Sequence, residues 1–217
     1  MQFRSPSLRD LVTVVYKPRE TMRRILDGGA HRWTAEIVVL AFICASFADP
    51  DIRHLREALP DLSLASTLAF VVVVLLLIAT CWVLFVFAFA WLATFVGTRL
   101  DGRGTAADVR AALAWGLVPL IWSVVYRIPV GLYRSRLKIH TGSPVQISID
   151  FLQHGGCGLA LAVLALQFAF DIWVLFVASS TVAEALRFES WKGLSTIAIT
   201  AAVPVVIVIA AALAFRT

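Results

Sequence analysis

The chain is 217 residues long, 60% of them hydrophobic and only 15% charged, with a formal net charge of +5. A soluble fold of this length has no interior large enough for so much apolar surface, so lipid must cover part of it. Lys and Arg gather near the N-terminus and in short loops beside apolar blocks, which fits topogenic signals and anionic lipid and argues against nucleic acid.

The first 33 residues read as a basic amphipathic arm. Ser5-Pro6 has the pattern of an N-cap followed by Pro at the first helical position. Leu8, Leu11, Val12 and Val15 then recur at helical spacing, with Arg9 and Asp10 on the other face. Pro18 restarts the chain. Met22, Ile25 and Leu26 form a second stripe, and Gly28-Gly29 stops it. Arg19, Arg23 and Arg24 fall on the polar side. They are candidate contacts for anionic lipid headgroups or a protein partner. The same spacing also fits an ordinary surface helix packed on the rest of the chain.

Residues 34–217 read as a five-helix transmembrane domain, an all-α bundle. The first span, 35–48, is short for the roughly 20 residues a bilayer core needs. Asp49-Pro50-Asp51 ends it, and the loop to Ser63 carries Arg53, His54 and Arg56. The second, 64–97, has no Pro, Gly or charge between Leu68 and Val96, so it reads as one long helix. A polar turn from Arg99 to Asp108 leads into the third span, 109–132, which holds Pro119 and Pro129. Arg134, Arg136, Lys138 and His140 mark its exit. Ser143-Pro144-Val145-Gln146 has a capping-box pattern. The fourth and fifth spans run over 158–183 and 194–215, separated by the tight turn Arg187–Lys192. With the N-terminus inside the cell, Lys and Arg divide twelve to six in favour of the inner side. The Arg134–Lys138 cluster runs against that rule. A multi-pass protein of an inner cell membrane is the expected setting. The first thirty residues are charged throughout and lack an apolar h-region, so no cleavable signal peptide is expected there.

Three stretches resemble a known family. Lys17-Pro18-Arg19-Glu20-Thr21-Met22-Arg23-Arg24-Ile25-Leu26 looks like the opening of bacterial Yip1-domain proteins. Gly102-Arg103-Gly104-Thr105, followed by Ala111-Ala112-Leu113-Ala114-Trp115 and Pro119, resembles that family's glycine-rich turn and the helix after it. The segment Trp173–Ala183, then Phe188-Glu189-Ser190-Trp191-Lys192-Gly193-Leu194, resembles its last two helices and their turn. The resemblance implies five membrane helices and a cytosolic arm. Its eukaryotic members are associated with vesicle trafficking, membrane shaping and prenylated Rab GTPases. No residue here maps onto Rab binding. A single Gly-Arg-Gly stands where the family often has a double glycine.

Inside the spans, Asp171 is the residue that calls for an explanation. A carboxylate at that depth costs about 2.5–3.5 kcal/mol on insertion scales and is expected to face the bundle interior with a partner. Gln167 shares its face four residues earlier. Arg127 is a possible counter-charge, although its place near a helix end also suits snorkelling. Asp171, Gln167 and Arg127 therefore form either a proton- or cation-sensitive site or a packing hydrogen bond. Gly102-Arg103-Gly104-Thr105 is either a phosphate cradle or a turn capped by Thr105 and Asp108, and it lacks the full P-loop or Rossmann pattern.

No HExxH, GxSxG or triad is present, the four histidines are scattered, and Cys44, Cys81 and Cys157 lack metal or disulfide spacing. The expectation is a non-enzymatic protein without catalytic residues, cofactor or metal. Its partners would be the lipid bilayer and a protein or a second copy of itself, and not nucleic acid. Organising membrane or partner proteins is the leading role. A small ion or solute transporter or channel subunit built around Asp171 is the alternative.

Overall fold

The computed structural model describes residues 7–28, 33–46, 64–136 and 157–214, and every regular element among them is a helix. The all-α expectation holds. The acidic loop before Ser63, Lys138, His140 and the Ser143 capping pattern lie outside the described residues.

In the arm, Ser5 and Pro6 lie outside the described residues, and α1 spans Leu8–Tyr16. Ser7 is the N-cap, and its N–H and hydroxyl both donate to Asp10 Oδ2 at 2.9 Å. A carboxylate three residues into a helix satisfies an orphan donor and favours the positive end of the helix. Pro18 sets the first turn of α2 (Pro18–Asp27), which buries Thr21, Met22 and Ile25 and ends at Gly28. Then comes α3 (Thr34–Ser46), and α4 (Leu64–Arg99) follows as one helix of 36 residues. At 1.5 Å per residue α4 is about 54 Å long, more than a bilayer core requires.

The next apolar stretch is not the single helix its composition suggests. It divides into α5 (Ala106–Gly116), α6 (Val118–Trp122) and α7 (Val124–Arg136). Pro119 has no N–H for the Trp115 carbonyl, and its ring crowds that oxygen. The chain responds at Leu117, whose N–H is shared at 3.1 Å between the carbonyls of Leu113 and Ala114. A second break falls at Ser123, whose N–H donates to Leu120 O at 3.2 Å in a tighter i to i−3 turn. Pro129 lies inside α7 without ending it. The chain closes with α8 (Cys157–Ala185) and α9 (Ser190–Ala214).

Among the described residues, three stretches are long and apolar enough to cross a membrane: Ala69–Arg99, Ala106–Val130 and Leu161–Ala185. Thr34–Ala45 is an apolar helix that falls short of that length, and the apolar stretch Ser190–Val206 lies within the 25-residue α9. Half of the most apolar window in Ala106–Val130 is buried, against 6% in Ala69–Arg99 and 11% in Leu161–Ala185. The first of these, made of α5, α6 and part of α7, is therefore the more deeply packed, and the others turn apolar side chains outward for lipid to cover.

The helices fall into two compact units. One comprises Met1–Val39, Trp82–Pro119 and Val174–Thr217, and the other Leu40–Cys81 and Leu120–Trp173. The first is built on small residues. Ala111, Ala112, Ala114 and Gly116 are buried along α5 around the fully covered Trp115. A Cβ on Gly116 would stand 2.7 Å from Ala178 Cα, so α5 and α8 touch almost backbone to backbone. Membrane helices have no solvent to squeeze them together, and close approach through small residues supplies the dispersion contact instead.

Two helix ends in this unit close in the same way. Gly102 N–H donates to Gly97 O at 2.9 Å after α4, and Phe188 N–H donates to Ala183 O at 2.7 Å after α8. Each is the six-to-one bond of a Schellman turn. The residue that must adopt positive φ is not glycine in either: Asp101 has φ 70° and Arg187 has φ 59°. The glycines are used for proximity instead. A Cβ on Gly104 would collide with the carbonyl of Ala185, and one on Gly102 would lie 2.8 Å from both Gly97 O and Phe188 Cζ. Arg103 N–H completes the seam with a bond to Leu186 O at 3.1 Å.

Candidate functional site

The arm is fastened to the α8–α9 turn by its arginines. Arg19 Nε donates to Glu184 Oε2 at 3.2 Å, Nη1 to Ser190 Oγ at 3.2 Å and Nη2 to the Phe188 carbonyl at 2.6 Å. Arg23 Nε donates to Glu184 Oε1 at 2.7 Å. Glu184 is 10% exposed and lies in the last turn of α8, where the helix dipole disfavours negative charge. Two guanidinium groups offset both that field and the loss of water. The hydrogen bond to Glu184, and then its Coulombic attraction, hold the Arg23 guanidinium above its ordinary value.

Arg24 turns the other way. It meets Asp10 Oδ1 at 3.1 Å and Glu20 at 3.7 Å, so it ties α2 to α1. The three arginines marked in the sequence thus serve two junctions. A cavity of about 510 Å³ opens beside them, lined by Arg19, Arg23, Asp27, Asp108, Glu184 and Arg187 among others. Its charged lining is balanced, three basic and three acidic groups. The Gly102-Arg103-Gly104-Thr105 turn at its edge is a capped helix start. Asp108 N–H donates to Thr105 Oγ1 at 3.2 Å, while Thr105 N–H and hydroxyl donate to Asp108 Oδ2 at 3.0 and 2.7 Å. Asp108 therefore fills the anion position that a phosphate would take.

In the second unit, a chain of polar groups links α7 to α8. Tyr126 Oη donates to Gln167 Oε1 at 2.7 Å, and Gln167 Nε2 donates to Asp171 Oδ1 at 2.8 Å. Arg127 is not paired with Asp171. Its Nη1 donates to the Ala45 carbonyl at 2.7 Å, in the last turn of α3, and its Nε reaches Tyr126 Oη at 3.4 Å. A guanidinium on the terminal carbonyls satisfies an orphan acceptor and the negative end of the helix dipole. Asp171 itself lies on an exposed face of α8, contrary to the expectation of a buried acid.

The sequence did not single out Glu184, Asp10 or the Phe188 carbonyl. One signal was available for Glu184: an acid in the final turn of an apolar helix opposes the dipole and calls for a cation. Nothing local names Arg19 and Arg23 as those cations.

Long apolar helices with outward-facing side chains, closed by polar turns and a folded basic arm, define a multi-pass α-helical membrane protein. The chain belongs to the Yip1 domain family, whose match covers residues 12–213. No curated protein and no solved structure matches it significantly.

Proposed function

We propose that the protein is a non-enzymatic organiser of membrane or partner proteins, set in the inner membrane by five spans with the arm on the cytoplasmic side. The observation that carries this is the double hold of Arg19 and Arg23 on Glu184. It turns an amphipathic arm into a fixed polar surface around a charge-lined cavity at the ends of the helices. A fixed surface loses less entropy on docking a partner than a loose arm does. Asp27 and Arg187 line the cavity and are exposed, so they are the places to look for contacts. Anionic headgroups, a protein partner or a second copy are the candidates.

The test is photocrosslinking in native membranes from Asp27 and Arg187. Discrete protein or lipid adducts that disappear when Glu184→Arg releases the arm are expected. Adducts indifferent to that release, or no adducts, contradict the reading.

The Tyr126–Gln167–Asp171 chain favours a second reading, an ion- or proton-conducting subunit. An exposed acid in a span needs water, a counter-ion or another copy against it. Flux through reconstituted vesicles that falls with Asp171→Asn supports conduction. No flux from the native chain removes it.

A further inference from the structure

The two helices of the arm are mounted in opposite senses. α2 is conventional: Met22, Ile25 and Thr21 are buried, and Arg23, Arg24 and Asp27 face out. α1 is inverted. Its buried residues are Asp10, Thr13 and Val14, which lie on its more polar side. Leu8, Val12 and Tyr16, spaced at four, form an outward stripe and are 83%, 45% and 62% exposed. Leu11 and Val15 flank that stripe and are half-buried.

The inversion has a local cause. Asp10 holds the Ser7 cap and accepts from Arg24 at 3.1 Å, so the polar side of α1 is committed to the protein. On the apolar side Leu8, Val12 and Tyr16 are left exposed. A helix beside water alone would lose the hydrophobic contribution of that face. The cover is indicated by where the arm sits. α1 and α2 pack on α5, which opens the candidate span Ala106–Val130, and Arg19 of α2 binds the turn that ends α8. Around them Asp101, Arg103, Arg187 and Glu189 are exposed, as expected of chain leaving the hydrocarbon for the headgroups. In the same unit Leu84, Phe85, Trp91 and Phe95 of α4 are exposed apolar side chains that lipid must cover. Arg9 and Lys17 stand exposed at the two ends of α1, as on helices that lie in an anionic interface.

We propose that α1 lies in the bilayer interface, with Leu8, Val12 and Tyr16 turned into the lipid and Arg9 and Lys17 among the headgroups. This deepens the reading of the arm as a contact surface by giving its occupant as lipid. α2 serves as the mount that holds α1 at that depth. An apolar face seated in one leaflet and anchored to spanning helices would displace lipid in that leaflet locally.

Spin labels test this in the full chain, with Cys44, Cys81 and Cys157 replaced, reconstituted in vesicles of phosphatidylcholine and phosphatidylglycerol. Leu8→Cys and Val12→Cys place labels on the stripe, and Glu20→Cys places one on exposed α2. Labels on the stripe should meet oxygen several-fold more readily than a water-soluble nickel chelate, and the label at residue 20 should show the reverse. Vesicles of phosphatidylcholine alone should preserve that order, because the apolar face sets the depth. Three results would overturn the proposal: equal access at all three positions, loss of the order without phosphatidylglycerol, or shielding of the stripe from both reagents. Shielding with spin–spin broadening would assign the face to a second copy, and without broadening to a protein partner. None of these outcomes depends on crosslinking from the cavity, so the organising role stands or falls separately.

Discussion

Arg23 Nε lies 2.7 Å from Glu184 Oε1, across 161 residues of sequence. Arg19 takes the other oxygen of the same carboxylate. Glu184 is thus one anion shared by both arginines, and Arg19 bonds to the Phe188 carbonyl and Ser190 as well.

Glu184→Gln keeps the shape and removes the charge. The amide oxygen can accept from one of the two arginines while its N–H2 donor faces the other, and the bond that remains is roughly half as strong. Local opening of residues 17–27 should rise, and their amide exchange should quicken about tenfold while α5 is unchanged. Equal protection in both proteins would show that apolar packing of Met22 and Ile25 holds the arm alone.

The pH dependence follows from the direction of the Arg23 shift. Its value is raised in the folded chain. A raised base contributes fully below its ordinary value and loses that contribution only as pH rises through the higher one. From neutral to mildly alkaline pH, Arg23 therefore adds no slope. Spin-label spectra from α2 should be superimposable over that window. A progressive release of α2 there would place the controlling group elsewhere.

The αL positions give a test with opposite signs. Arg187→Gly removes the strain of a side chain at φ 59° and should stabilise the protein by about 1 kcal/mol. Gly104→Ala drives a methyl into the Ala185 carbonyl and should cost about 1–3 kcal/mol. Thermal unfolding in one detergent measures both. Destabilisation by Arg187→Gly would mean that the guanidinium outweighs the backbone strain.

In the second unit, Tyr126→Phe removes the donor to Gln167. Interhelical hydrogen bonds in membranes average about 0.6 kcal/mol, so a loss of roughly that size is expected. Arg127→Met frees the Ala45 carbonyl at the end of α3 and should quicken exchange of the last turn of α3 more than Tyr126→Phe does. Equal effects would mean that the contact with Tyr126 matters more than the cap.

Much of this was legible along the chain. An uninterrupted apolar run dictated α4, and Thr105 with Asp108 announced the start of α5. Pro119 announced a disturbance, though not that the chain would break again at Ser123, where a hydroxyl competes for the Leu120 carbonyl at 2.6 Å. The amphipathic pattern of α1 gave its two faces but not which would point inward. That depended on Arg24 reaching Asp10 from the next helix. The role of Arg127 was equally hidden, since its acceptor is a backbone carbonyl 82 residues away.

The arm is held to the helix ends through Glu184, and a distance measures this directly. With labels at residues 20 and 189, pulsed dipolar spectroscopy on the reconstituted chain should give one narrow distribution. Glu184→Arg should broaden it, and adding Arg19→Glu with Arg23→Glu should restore it. A broad distribution in the native chain, or one unmoved by the charge reversal, would contradict the account.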